Sequence, residues 1–189
     1  MKNIAIFASG GGSNAESIIH YMKGIDDINI SLIISNKSKA GVLKRAYNHG
    51  IDAHLISRSS FYESKEILET LKEYNIDWII LAGFLWLVPA YLIDAYPERI
   101  LNIHPALLPK YGGKGMYGMN VHKAVKENNE IVSGMTIHFV NQKYDEGKHV
   151  FQATTEINPE DSPEDIAAKV LKLEHKYYPQ VIHHLVQSS

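Results

Sequence analysis

The stretch Ile4-Ala5-Ile6-Phe7-Ala8-Ser9-Gly10-Gly11-Gly12-Ser13-Asn14-Ala15 passes from a short apolar run through three glycines into residues that can open a helix. That order reads as a strand at residues 4–9, a tight turn and a helix at 15–22, the start of a βαβ unit. Outward from it the pattern repeats, with strands expected at 30–35, 54–56, 78–81 and 100–103 and helices at 41–49 and 61–74. Ser60-Phe61-Tyr62-Glu63 has the form of a capping box at the head of the last of these. After about residue 130 two longer strands, 132–140 and 149–157, follow each other without a helix-length connection, so they are expected to add antiparallel. Ser162-Pro163-Glu164-Asp165 then opens a closing helix with a serine cap and proline at its first position. Pro179 is expected to break or kink it. The expected fold is α/β, three-layer and Rossmann-like, with a mostly parallel sheet, antiparallel C-terminal strands and a closing C-terminal helix.

The chain of 189 residues is expected to form one domain, residues 1–189, with a phosphate-binding half (1–100) and a catalytic half (101–189). Hydrophobic residues make up 45% and charged residues 21%, so a real core is expected. Lys+Arg 19 against Asp+Glu 21 gives a net charge of -2, which points away from nucleic acid or an anionic membrane and toward small-molecule partners. Cysteine is absent, which excludes disulfides, thiolate catalysis and cysteine-bound zinc. The first apolar run is too short for a signal segment, and none approaches the ~20 residues of a membrane helix, so a cytoplasmic location is expected. Oligomeric state is not legible.

Three places can carry chemistry. The glycine-rich loop allows positive φ and close approach, and the helix start behind it offers free N–H groups to an anion, so a phosphate is the natural guest. Gly10, Gly12 and Ala15 also satisfy a loose dinucleotide fingerprint, but the second strand ends Ser35-Asn36-Lys37, without the acid that would hold a ribose diol. A merely tight turn is the plain alternative. The second place is Leu101-Asn102-Ile103-His104-Pro105. Proline holds His104 extended, and strand alternation then puts Asn102 and His104 on one face, at the carboxyl end of a strand where α/β sheets bind ligands. The third is Gly134-Met135-Thr136-Ile137-His138-Phe139-Val140, which aligns Thr136, His138 and Val140, followed by Asp145 in a turn. Taken alone, Asp145 is an ordinary turn residue.

In one chain and in this order, GGGSN, NIHPALLPKY, GMTIHFV and YDEG make the sequence resemble the formyltransferase family that uses 10-formyltetrahydrofolate. The similarity covers essentially the whole chain, and its length and motif content resemble most the branch that formylates glycinamide ribonucleotide. The resemblance implies that Asn102, His104 and Asp145 are the reaction centre, with Asp145 either holding His104 cationic or positioning the water that carries a proton. It implies that Gly12, Ser13, Asn14 and Glu174 bind the ribonucleotide, Glu174 meeting the ribose hydroxyls. Lys65, Leu85, Trp86, Leu87, Val88, Asn102, Asn141, Gln142, Lys143, Tyr144 and Asp145 would form the folate side, and Thr136, His138 and His122 would support. The family often has a basic residue where Trp86 stands and an arginine near Lys65. The loop at 111–120 is longer and richer in glycine than in the relatives first compared, which suggests a mobile cover over the acceptor. 10-Formyltetrahydrofolate would be the co-substrate, and no metal is expected. Two other readings share these residues: hydrolysis of formyl-folate, and a catalytically silent folate or phosphosugar binding module.

Overall fold

The computed structural model describes residues 1–189. In chain order the elements are β1 (Lys2–Phe7), α1 (Ser13–Met22), β2 (Ile28–Ser35), α2 (Gly41–His49), β3 (Asp52–Leu55), α3 (Arg58–Tyr62), α4 (Glu66–Glu73) and β4 (Trp78–Leu81). They continue with α5 (Ala90–Ala95), β5 (Ile100–His104), α6 (Met119–Glu127), β6 (Val132–Phe139), β7 (His149–Glu156) and α7 (Pro163–Gln187). One sheet of seven strands runs β3-β2-β1-β4-β5-β6-β7. The pairings from β3 through β5 are parallel, and β6 and β7 add antiparallel. Both the α/β class and the antiparallel C-terminal strands are therefore as expected.

The three layers follow from alternation along β1. Ile4, Ile6 and Ala8 join a core with Ile18 and Ala15 of α1, Val42 and Ala46 of α2, and Ile166, Val170 and Tyr178 of α7. Ala5 and Phe7 face the other way, into a core with Phe61, Ile67, Leu71 and Leu92 of α3, α4 and α5. Burial on both faces explains why β1 and β4 read as continuous apolar runs instead of alternations. The strand order reverses beside β1 and β4, and a crevice opens at their carboxyl ends.

Three expectations need correction. The helix at 61–74 is two helices, broken at Lys65, whose φ of 59° is left-handed. In one continuous helix Phe61 and Ile67 would point about 120° apart, whereas the break lets both enter the same core. The capping box lies one turn earlier than Ser60 and Glu63, because Ser57 accepts from the Ser60 N–H while Ser60 Oγ accepts from the Ser57 N–H. Finally, Pro179 neither ends nor divides α7, which spans 25 residues. Proline removes the N–H that would have bonded the His175 carbonyl one turn back. Ser17 Oγ on α1 donates to that carbonyl at 2.8 Å instead. A Ser17→Ala change is expected to lower unfolding free energy by about 1–2 kcal/mol, since it strands an acceptor at a packed helix interface. Urea denaturation with an unchanged m-value would register it. Helices α5 and α6 were not expected; α5 is only 6 residues long, and α6 hides behind the glycine-rich segment.

One contact carries the fold directly to the site. Tyr178 of α7 is fully buried, and its hydroxyl is shared between the carbonyls of Leu81 at 2.9 Å and Leu101 at 3.2 Å. The carboxyl end of β4 and the start of β5, one residue before Asn102, are thereby tied to the closing helix.

Candidate active site

The crevice is a cleft of about 730 Å³ lined by residues that include Asn14, residues 83–88, Asn102, His104, residues 113–119, His122, His138, Asp145 and Glu174. Asn102 and His104 do share one side of β5 and both reach the cleft. In the antiparallel register Asn102 opposes His138 and His104 opposes Thr136, so β6 supplies the neighbours. His138 donates from Nδ1 to the Phe139 carbonyl at 2.9 Å, which leaves Nε2 to accept from the Asn102 amide at 3.1 Å. The same Asn102 Nδ2 lies 3.4 Å from Asp145 Oδ1.

Asp145 is the residue whose arrival sequence spacing could not foretell. It sits at a left-handed φ of 58° in the β6–β7 connection. Its Oδ2 accepts from the Gly113 N–H at 3.0 Å and faces His104 Nδ1 at 3.4 Å. The connection is held close by Gly147, where a Cβ would fall 1.6 Å from the Phe139 carbonyl oxygen. A Gly147→Ala change is expected to push this connection outward and carry Asp145 with it, lowering kcat by about 100-fold. Steady-state kinetics would measure that loss.

The electrostatics depart from one expectation. Burial is the largest influence on His104 and drives its pKa below the ordinary histidine value, with the His138 ring adding to it; Asp145 and the Tyr111 carbonyl pull the other way and do not prevail. Burial thus works against the cationic state that the Asp145 contact favours, and the pKa moves down where a rise was expected. The His104 Nε2–H donates to the Tyr111 carbonyl at 2.7 Å. For Asp145, burial is again the largest single influence and raises the pKa. The imidazoles of His138 and His104 and the Gly113 N–H together outweigh it and hold the carboxyl below its usual range. Burial likewise lowers His122, which lies in α6 with an unpartnered Nδ1. Thr136 is fully buried and plays its part through backbone: Oγ1 donates to the Ala106 carbonyl at 2.7 Å and accepts from the Leu108 N–H at 3.0 Å. It thus pins the chain just after His104. Gln152 on β7 donates to Thr136 Oγ1 and to the Leu108 carbonyl, a brace that no sequence motif announced.

Just outside the cleft, beside its lining residue Asn14, Gly12 caps α1 with φ 74°, and a Cβ there would lie 2.7 Å from a Val42 methyl carbon. Only glycine fits both the conformation and the approach of α2. No side chain caps α1, so the N–H groups of its first turn stay available. Asn14 donates to Glu174 Oε2 at 2.6 Å, across 160 residues of sequence. Glu174 is buried, and desolvation, only partly offset by the Asn14 hydrogen bond, pushes its pKa up to about 7.

The residues expected to bind the two substrates divide. Leu85, Trp86, Leu87, Val88, Lys143, Tyr144 and Asp145 line the cleft. Gly12, Ser13, Lys65, Asn141 and Gln142 are not among its lining residues. Lys65 holds its ammonium 5.6 Å from the Tyr91 ring centroid, and Asn141 uses its side chain to accept the Lys143 N–H. The Trp86 ring packs against Phe61, Tyr62 and Phe84, with the Arg58 guanidinium 5.5 Å from its centroid. A cation therefore accompanies Trp86, supplied from α3. The Tyr111 carbonyl was also missed, and as a backbone atom it left no residue-type signal.

This architecture has known counterparts. The family model described as formyl transferase matches residues 2–182. A phosphoribosylglycinamide formyltransferase of Bacillus subtilis (strain 168) is 37% identical over 192 residues, covering 98% of this chain and 95% of its own. The chloroplastic phosphoribosylglycinamide formyltransferase of Arabidopsis thaliana is 42% identical over 190 residues, covering 96% of this chain and 64% of its own. This chain thus spans less than two thirds of the plant relative's length. The crystal structure of phosphoribosylglycinamide formyltransferase from Bacillus halodurans has a TM-score of 0.89 at 35% identity, covering 98% of this chain and 95% of the other. No helix here is long and apolar enough to cross a membrane. With a family match over nearly its whole length, a relative 37% identical across 98% of it and a solved structure that superposes at a TM-score of 0.89, the chain belongs to the formyl transferase family.

Proposed function

We propose that this chain transfers the formyl group of 10-formyltetrahydrofolate to the amino group of glycinamide ribonucleotide, the activity for which its relatives are named. The observation that carries the proposal is one cleft lined by Asn102, His104 and Asp145 together with the Asn14–Glu174 pair and the apolar stretch at 85–88. The polar end suits a phosphosugar, with the α1 N-terminus for phosphate and Glu174 for ribose hydroxyls. The apolar end suits a flat heterocycle.

In the reaction the acceptor nitrogen attacks the formyl carbon and forms a C–N bond, placing negative charge on oxygen. Collapse then breaks the bond from that carbon to the folate N10, while the proton lost by the amine must reach N10. Asn102 and His104 are the donors for the oxyanion. Their donor atoms are engaged within the protein, so substrate entry exchanges partners: the formyl oxygen replaces the Tyr111 carbonyl at His104 Nε2. That exchange gives the glycine-rich segment beginning at Tyr111 its task, because closing over the acceptor withdraws the carbonyl. Asp145, ionised at neutral pH, accepts the amine proton directly or through water and returns it to N10. No step here calls for a metal.

Product analysis with formyl-folate, in the presence and absence of glycinamide ribonucleotide, tests the proposal. Formylated ribonucleotide is expected only when both are supplied. Formate released at an equal rate without the acceptor would instead establish hydrolysis, and no consumption of formyl-folate would leave a binding module.

A further inference from the structure

Outside the cleft, α1 and α2 bring together three side chains that the reaction does not use. Glu16 and His20 stand four residues apart on α1, and His49 lies in the last turn of α2. Glu16 Oε1 is 3.3 Å from His20 Nδ1 and 2.8 Å from His49 Nε2, and the three ligand atoms lie within 4.8 Å of one another. We propose that Glu16, His20 and His49 form a binding site for a divalent ion of the zinc class.

The spacing suits that ion. Zinc holds imidazole nitrogen and carboxylate oxygen at about 2.0–2.2 Å, so tetrahedral ligand atoms stand roughly 3.3 Å apart. The Glu16–His20 contact at 3.3 Å matches that separation, and the Glu16–His49 contact at 2.8 Å lies about 0.5 Å inside it. The two imidazole rings meet edge to face, with centroids 5.4 Å apart. Arg45 orients the carboxylate from behind: Nη1 holds Glu16 Oε2 at 2.8 Å, while Nε donates to the Gly11 carbonyl at 2.7 Å. Oε2 is thereby occupied and Oε1 is left to the histidines, the kind of outer support that metal-binding carboxylates receive. Two bonds are given up to the ion: His20 Nδ1 to the Glu16 carbonyl at 2.9 Å, and His49 Nε2 to Glu16 Oε1 at 2.8 Å, whose shared proton the metal displaces. Three protein ligands leave a fourth position for water. Two imidazoles select against magnesium and calcium, which take oxygen ligands.

Zn²⁺ alone, titrated against the intact chain in competition with a chromophoric chelator, tests the site. One equivalent is expected to bind, and His20→Ala and His49→Ala should each weaken it by at least about tenfold. His149→Ala, at an exposed histidine opening β7, should leave affinity unchanged, and excess Mg²⁺ should not displace the zinc. Far-UV circular dichroism of the variants verifies their fold, and should one fail to fold the other reads the same site. No bound zinc, or equal affinity in wild type and in the folded histidine variants, overturns the proposal.

Discussion

Asp145→Asn is expected to lower kcat by about 10²–10⁴-fold, the span that a positioned proton-transfer group contributes. The substitution preserves shape and suits the backbone, since asparagine tolerates the left-handed φ of 58° that this position requires. It changes which atoms can accept. In the native site Oδ2 accepts from Gly113 and faces His104, while Oδ1 faces Asn102 and His138. An asparagine has one accepting oxygen. Turned to keep the Gly113 N–H, it points its own NH₂ at the Asn102 NH₂; turned the other way, it abandons Gly113. Either way no carboxylate remains to take the amine proton. Ligand affinities, which depend on other parts of the cleft, should stay within about tenfold, or ~1.4 kcal/mol. Single-turnover kinetics with equilibrium binding would separate the two effects. Turnover within threefold of wild type, a factor taken as roughly the scatter of such comparisons, would remove Asp145 from proton transfer.

The limits of the sequence show at the same residues. Asn102 and His104 were legible because strand alternation and Pro105 act locally, over four residues. The ends of α2 at Gly41 and His49 and of β4 at Trp78 and Leu81 were legible for the same reason, each being a periodic run bounded by breakers. Asp145 was not, because its place depends on Gly147 letting a loop return against Phe139. The break at Lys65 was hidden because the apolar spacing around it fits a helix on either side, and only the shared core shows that one axis cannot serve both. His104's protonation was misjudged for a related reason. The carboxylate beside it could be inferred from family likeness, but the burial that outweighs that carboxylate is a property of the assembled sheet. The Glu16, His20 and His49 cluster was invisible in the sequence, since its third member lies on another helix.

Glu174→Gln is expected to make the protein more stable and less capable at once. With its pKa at about 7, Glu174 keeps its proton in the folded protein over a range in which the unfolded chain, near the ordinary glutamate value of 4.5, has lost it. The folded state then binds more protons than the unfolded one, so stability falls as pH rises through this interval and stays low above it. The full penalty, reached by pH 8, is about 3 kcal/mol, and near pH 5 it is under ~1 kcal/mol. Glutamine carries no charge to desolvate, and its NH₂ can donate to Asn14 Oδ1, which is buried without a partner. Unfolding free energies of the two proteins should therefore differ most at pH 8 and converge near pH 5, as denaturant titrations at both values would reveal. Function should move the opposite way. A carboxylate in the ionised state is the stronger acceptor for ribose hydroxyls, and losing charge-assisted bonds of this kind costs about 1.5–3 kcal/mol, a rise in acceptor KM of roughly ten- to a hundredfold. The native enzyme's own acceptor KM should fall as pH rises through 7, and the glutamine variant should lose that dependence. A carboxylate kept at a cost to folding, bonded to Asn14 at the wall of the cleft, is what the proposed ribose-binding role requires, and a flat acceptor KM across pH 7 in the native protein would remove Glu174 from that role.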